Sequence, residues 1–155
     1  MSERNVTQEA RRALFRAQVV TIASGEPEVT PRRIAAAMLS TPQVRSVCAR
    51  VGISVIVLDS ESQQSYARVL TSVEESLAAH GEPFGSASHI ASLRPRPMNP
   101  GTQRVLASIA AISAEQNKAL NPVDVLVAVL LSDSALRKHV ATQGLTVDML
   151  RENNT

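Results

Sequence analysis

The side chains that could do chemistry are few and scattered in this chain of 155 residues. Its three histidines, His80, His89 and His139, lack an HExxH arrangement, and no CxxC pair or spaced carboxylate cluster accompanies them. We therefore predict no metal site and expect these histidines to be exposed or to cap helix ends. Glu74 and Glu75 are neighbours, so on a helix they point to different faces and cannot form a general acid–base pair by themselves. Serine is frequent, but no GxSxG elbow is present, and we do not expect an enzyme.

The single cysteine, Cys48, excludes an internal disulfide bond. Its neighbours Val44, Val47 and Val51 are apolar, which favours a buried and unreactive thiol. The N-terminal run does not have the basic, apolar and small-residue pattern of a signal peptide. No stretch approaches the roughly 18 uninterrupted apolar residues that a membrane helix needs. The sequence therefore predicts a cytoplasmic protein without a membrane segment.

Composition narrows the ligand classes further. The chain has one Tyr, two Phe and no Trp, so we expect neither stacking platforms for single-stranded nucleic acid nor an aromatic-lined cofactor pocket. With 16 basic and 14 acidic residues the net charge is only +2, which also argues against nucleic-acid binding. The pairs at 11–12 and 32–33 are both Arg-Arg and are interpreted as a solvated helical face, with a patch for an acidic partner as the alternative. No cofactor is predicted.

The chain resembles itself at a spacing of about 92 residues. VTQEARRALFRAQ near the start parallels MNPGTQRVLASIA, and Gly52 parallels Gly144 at this spacing. VTPRRIAAAML parallels LNPVDVLVAVL at a spacing of 91, with Pro31 over Pro122. A single change of register is what a loop of slightly different length would produce. The identities fall at helix starts, helix ends and apolar positions, where a shared fold constrains sequence.

Each copy is predicted to be a small helical unit. In the first copy we expect helices over 8–24, 31–39 and 42–51, because Thr7 and Thr30 are N-cap residues and apolar residues recur at helical spacing. The segment 53–58 is rich in β-branched residues and taken alone could be a strand, but we predict a loop that leads into a helix. Its counterpart, 145–150, is predicted to be a turn entering a helix.

The residues between the copies form two different segments. Tyr66, Val69, Leu70, Val73 and Leu77 make one apolar stripe of an amphipathic helix, which we expect to pack on the repeats. From 80 to 97 the composition shifts to Gly, Pro, Ser and Arg, which predicts an extended, mobile connector.

The order, duplication and spacing of these helices resemble the double repeat of the Clp N-terminal domain. The resemblance rests on VTQEARRALFRAQ, VTPRRIAAAML and VGIS, and again on MNPGTQRVL, LNPVDVLVAVLL and TQGLTVDML. It implies an all-α fold with two pseudo-twofold-related four-helix repeats in one domain over 1–155. Repeat one would cover about 6–79, the connector about 80–97 and repeat two about 98–152. The chain lacks the GxxxxGK[ST] phosphate loop of the Clp ATPase ring, so both a free-standing relative and a domain of a longer ATPase stay open.

The resemblance also implies a function. In that family the domain receives substrate proteins and adaptors in front of the ATPase ring, which implies a non-catalytic protein- or peptide-binding module that modulates a Clp chaperone or protease system. The partners implied are unfolded or tagged client proteins, adaptor proteins or a Clp-type ATPase ring. By the same resemblance, the predicted contact residues are Val6, Thr7, Leu14, Met98, Asn99, Val105 and Leu106. The alternative hypothesis is a helical scaffold or regulator outside proteolysis, using its Arg pairs to dock a partner or nucleic acid.

This sequence departs from the family at one known ligand site. Some members bind phosphorylated arginine through a Thr-Glu-His run at the start of the second helix of each repeat. Here the corresponding runs are Thr30-Pro31-Arg32 and Asn121-Pro122-Val123, without a carboxylate. The resemblance therefore does not imply phosphoarginine binding by that route.

Overall fold

The computed structural model describes residues 5–54, 56, 58 and 60–154, and the side chains of all of these except 60–65. Within these residues the regular structure is helical, as predicted. The helices are α1 (Gln8–Ala23), α2 (Pro31–Leu39), α3 (Pro42–Arg50), α4 (Ser60–Ala79), α5 (Ala87–Ser92), α6 (Pro100–Gln116), α7 (Pro122–Ser132), α8 (Ser134–Ala141) and α9 (Val147–Glu152).

Helices of the two repeats start at matching places in the chain. α1 and α6 begin at Gln8 and Pro100, 92 residues apart, while α2 and α7 begin at Pro31 and Pro122, 91 apart. Each of these four helices is preceded by a side chain that accepts a hydrogen bond from the first turn, which satisfies a backbone N–H that would otherwise lack a partner. In the first three helices of each repeat these N-caps are Thr7, Thr30 and Thr41, and Asn99, Asn121 and Asp133. The helices therefore repeat with the offsets found in the sequence.

Two short backbone bridges join the repeats and are themselves related by the pseudo-twofold. Val6, before α1, pairs in parallel with Leu120, before α7, and Met98, before α6, pairs with Val29, before α2. In each bridge the residue that follows Val6 or Met98 donates its N–H to the partner's carbonyl, at 2.9 and 3.1 Å. The start of each repeat is thereby held at the second helix of the other repeat.

The core lies between the second helices of the two repeats. α7 has eight buried residues out of eleven, and α2 has six out of nine. α2 packs on α7 and α1, where Ala35, Ala36 and Ala37 are small enough for the helix axes to approach closely. Because α2 and α7 bury their apolar faces against each other, the two repeats share one hydrophobic core.

The third helix of each repeat ends as the sequence predicts. Gly52 and Gly144 follow α3 and α8 with φ of 80° and 96°, a backbone conformation that favours glycine. Of the predicted loop 53–58, residues 53, 54, 56 and 58 are described and are not helical, while 55 and 57 lie outside the described residues. Leu58 in this loop and Leu150 in α9 are both buried, at 2% and 0% exposure. The matched leucines thus occupy core positions in different secondary structure.

The connector is more ordered than the sequence predicted. Its composition suggested an extended segment, but α5 forms within it, with Ser86 as the N-cap. The side chain of Gln18 on α1 exchanges two hydrogen bonds with the backbone of Arg96, each of 3.0 Å. Contacts with α1 therefore outweigh the low helix propensity of a segment rich in Pro and Gly.

Candidate functional site

One face of α1 carries polar and aromatic side chains at helical spacing. Gln8, Arg11, Arg12, Phe15 and Arg16 stand at i, i+3, i+4, i+7 and i+8. These positions share one side of a helix. The opposite side of α1 is buried in the core, so this stripe is turned toward the connector and solvent.

The connector places aromatic rings against that stripe. Phe84 meets Phe15 with ring centroids 5.7 Å apart at 70°, and His89 lies 5.7 Å from Phe15 and 5.1 Å from Phe84. Edge-to-face contacts at these distances are favourable. The guanidinium carbon of Arg16 lies over the Phe84 ring, 5.9 Å from its centroid, in cation–π geometry. The ring cluster of Phe15, Phe84 and His89 thus fixes the connector on α1.

One sequence prediction is corrected by this ring cluster. His89 was expected to be exposed or to cap a helix, but its exposed fraction is 3%. The composition gave no indication of an aromatic cluster, yet two of the chain's three aromatic residues meet here. Neither could be foreseen from composition, because Phe15 and Phe84 are far apart in the chain and only the fold of the connector joins them.

A backbone hydrogen bond explains the position of His89. The N–H of Gly85 donates to Nδ1 of His89 at 2.9 Å, so this nitrogen carries no hydrogen. Gly85 has a φ of 77°, which favours glycine, and a side chain added there would meet the Phe15 ring at 3.9 Å. The turn between Phe84 and α5 is therefore shaped by Gly85 and closed by the histidine ring.

Between α1 and this turn lies a groove of about 610 Å³. Its volume is in the range of ligand-binding clefts, about 300–1,000 Å³. The residues that line this groove, which we call the α1 groove, are Gln8, Arg11, Arg12, Phe15, Arg16, Phe84, Gly85 and Ile90. Ile90 is 53% exposed, one of two large apolar side chains exposed among the described residues. The α1 groove therefore combines guanidinium groups with exposed apolar surface.

A second, smaller groove of about 290 Å³ lies between α4 and the helices α1 to α3. Arg16 borders both grooves, and Tyr66 lies at the base of the second with 3% exposure. Burial raises the pKa of Tyr66 to about 12, although the positive charges of Arg16 and Arg33 act in the opposite direction. Arg33 itself forms an ion pair with Glu26, so it does not belong to a solvated face.

The residues predicted to contact a ligand lie elsewhere. Thr7 and Asn99 cap α1 and α6, accepting hydrogen bonds from Ala10 and Thr102 at 3.3 and 2.8 Å. Met98 is half-buried in its bridge to the other repeat. None of the seven predicted residues is among those that line the α1 groove.

The other four predicted contact residues are apolar and divide into two groups by burial. Val6 and Val105 are buried, at 3% and 0% exposure, so a ligand could touch their side chains only after a rearrangement. Leu14 and Leu106 are half-buried and pack against the core. A binding role for these residues stays a prediction.

The sequence did contain one signal for the α1 groove. The five polar and aromatic residues from Gln8 to Arg16 already have the spacing of a helical stripe, with Phe15 on an otherwise polar face. An aromatic residue in such a stripe indicates a covered or ligand-binding surface more than a solvated one. The partner residues on the connector had no comparable signal.

The remaining chemically active side chains form no site in the described residues. Cys48 is buried and free, and burial raises the pKa of its thiol, as expected for an unreactive cysteine. His80 is exposed at the end of α4, with Nδ1 2.9 Å from the carbonyl of Ser76, and His139 is exposed on α8. Over the described ranges, no group of three or more His, Cys, Asp or Glu could hold a metal ion. No described helix is long and apolar enough to cross a membrane.

Comparison with known proteins identifies the fold. No family model and no curated protein matches the chain. Among solved structures, the Hsp104 N-terminal domain from Candida albicans matches with a TM-score of 0.63 over 96% of this chain and 88% of that one, at 14% sequence identity. At this identity the match shows the fold and does not carry over a ligand. The chain therefore has the fold of the Hsp104 N-terminal domain, the Clp N-terminal type that its repeated sequence resembles.

Proposed function

We propose that this protein is a non-catalytic module that binds segments of other proteins in the α1 groove. The observation that carries the proposal is the combination of exposed Ile90 and half-buried Phe15 and Phe84 with three arginines in one cleft of about 610 Å³. Exposed apolar surface with a polar rim is the usual form of a site for an extended peptide or an amphipathic helix. The groove is bordered by a helix that is anchored in the core, so it is preformed rather than assembled by the ligand.

The same proposal includes the biological setting that the resemblance implies. A domain of the Clp N-terminal type that binds unfolded clients or adaptors would present them to, or withhold them from, a Clp-type ATPase ring in the cytoplasm. Support comes from the fold and from the open groove. The predicted contact residues Met98 and Leu106 offer a second surface for the same partners.

Peptide arrays test the binding function. Labelled protein is incubated with overlapping peptides that tile several unrelated proteins, and the bound subset is recorded. We expect selective binding that is reduced in Ile90→Ser. The matched control is Leu131→Ser, because Leu131 is also a large exposed apolar residue, at 45%, but does not line the α1 groove. Absence of binding to every peptide would contradict the proposal.

A reconstitution experiment tests the biological setting. A Clp-type ATPase ring is mixed with the protein, and co-sedimentation and the rate of client unfolding are measured. A change in either that Ile90→Ser or Met98→Ser removes would support the role, and the variant that acts identifies the surface. Unchanged rates and no co-sedimentation would restrict the function to binding outside this system.

A further inference from the structure

We infer that the α1 groove selects acidic peptide segments that carry an apolar side chain, an inference that rests on the proposed function. Three of the residues that line the groove are arginines, and none of the described lining residues is acidic. Arginine presents a planar fork of donors that matches a carboxylate. A ligand with aspartate or glutamate beside an apolar residue would satisfy both parts of the surface.

The positive charge is local to this cleft. The whole chain has a net charge of only +2, so the cluster is not one part of a generally basic surface. Glu9 is in the first turn of α1 but is not a lining residue, and Glu82 accepts a hydrogen bond from Ser88 at 3.0 Å. The guanidinium groups of Arg12 and Arg16 supply the positive charge that an acidic ligand would meet in the groove. Charge complementarity therefore favours an acidic occupant.

The apolar part of the groove determines what else the ligand must carry. Ile90 is more than half exposed on α5, and the half-buried rings of Phe15 and Phe84 also line the groove. Removing such surface from water favours binding, although the costs of association offset part of the gain. An acidic segment without an apolar side chain would leave this surface uncovered.

A protein segment fits this groove better than a nucleic acid. Bases bind to aromatic residues by stacking on open ring faces. Here Arg16 lies over the Phe84 ring, and Phe15 and His89 meet each other edge to face. The ring faces are therefore partly covered, and what the rings leave open suits an aliphatic or aromatic side chain better than a stacked base.

Fluorescence anisotropy tests the inference. The probe is a short fluorescein-labelled peptide in which a Leu-Leu pair is flanked by glutamates, compared with the same peptide carrying glutamines and with single-stranded DNA of similar length. We expect the glutamate peptide to bind at least about tenfold more tightly than the glutamine peptide, the size of effect that charge-assisted hydrogen bonds give. Its affinity should also fall as salt is added.

Protein variants show whether the arginines of α1 cause the preference. Arg11→Gln combined with Arg12→Gln should weaken the glutamate peptide about tenfold and leave the glutamine peptide unchanged. The matched control for Arg12→Gln alone is Arg104→Gln, because each removes one positive charge and the two positions are equivalent in α1 and α6. Circular dichroism melting of each variant separates loss of fold from loss of binding, and Arg12→Gln alone is the milder variant if the double substitution unfolds.

Each result has a defined meaning. Equal affinity for the glutamate and glutamine peptides, or an equal loss in Arg104→Gln, would overturn the acidic preference while leaving peptide binding intact. Tighter binding of DNA than of either peptide would overturn it in favour of a nucleic-acid partner. Binding of no peptide here or on the array would instead remove the proposed function itself.

Discussion

The first helices of the two repeats, α1 and α6, occupy equivalent places in the fold but carry different residues on their outer faces. Both α1 and α6 are capped, anchored by a bridge to the other repeat and buried along one side. On the outer side α1 has Arg11, Arg12, Phe15 and Arg16, and the equivalent positions of α6 are Gln103, Arg104, Ala107 and Ser108. The repeat constrains the residues that face the core and leaves the outer face free to differ. A binding groove can therefore be present in one repeat without any change to the shared fold.

The shared core gives the largest expected effect. Leu126→Ala in α7 would leave a cavity at a fully buried position and should lower the free energy of unfolding by about 2–5 kcal/mol. Because both repeats pack on α7, we expect one cooperative transition at a lower temperature, with α1 and α6 melting together. Thermal unfolding followed by circular dichroism and hydrogen exchange checks this. Leu131→Ala, at an exposed position of the same helix, should change stability by less than about 0.5 kcal/mol. Separate melting of the two repeats would show that they do not share a core.

Alkaline titration reports on repeat one alone, because the single tyrosine lies there. Tyr66 is in repeat one and is the only tyrosine, and its pKa is raised to about 12 by burial. In the unfolded chain the phenol ionises near pH 10, whereas in the folded chain it stays neutral to about pH 12. The unfolded state therefore loses a proton first, and stability should fall by about 1.4 kcal/mol per pH unit between these values.

Absorbance of the phenolate measures the titration directly. A midpoint near pH 10 in folded protein would contradict the buried environment. In Tyr66→Phe, the part of the stability loss between pH 10 and 12 that comes from this phenol should disappear. Cys48 contributes with the same sign, because the pKa of its thiol is also raised, and it is therefore kept in both proteins.

Removing the histidine of the ring cluster should perturb the connector and α1 while leaving α6 unchanged. His89→Ala takes away the acceptor for the Gly85 N–H and the ring between Phe15 and Phe84, at an expected cost of about 2 kcal/mol. We expect faster hydrogen exchange over 82–92 and weaker binding of the glutamate peptide. Amide signals of α6 serve as the internal control. Equal perturbation of α1 and α6 would mean that the connector does not act on repeat one alone.

Removing the equivalent N-caps of α1 and α6 should give the smallest difference in stability between the two repeats. Thr7→Ala and Asn99→Ala each remove a side chain that accepts a hydrogen bond from the first helical turn, and each should cost about 1 kcal/mol. Asn99 has the shorter hydrogen bond, 2.8 Å against 3.3 Å, so its substitution should cost slightly more. Chemical denaturation measures both. Since these two residues were also predicted to contact a ligand, peptide affinity of the two variants tests that prediction as well.

Much of the fold could be predicted because it depends on local signals that occur twice. Proline at the first position of a helix, a capping side chain before it and glycine after the third helix each act within a few residues. The second helices, beginning at Pro31 and Pro122, start where their caps indicated. Repetition then made each weak signal stronger, because a chance match would not recur at one spacing.

The site was harder to predict because it joins distant segments. Val6 and Val105 were predicted to contact a ligand because of the family resemblance, but both are buried, since the bridge and the core cover them. His89 and Phe84 lie in a segment rich in glycine and proline, whose local preferences are weak. Only their contact with Phe15, about 70 residues earlier in the sequence, decides where they lie.

The sequence alone thus determined the helices of the two repeats, their duplication and the apolar faces that bury into one core. These follow from short-range hydrogen bonding and from hydrophobic periodicity, both of which can be read from neighbouring residues. Tertiary structure alone decided that the connector folds onto α1 and that two phenylalanine rings and three arginines share a cleft there. Such contacts depend on the path of the whole chain, because their free energy is realised only when the core has brought the distant segments together.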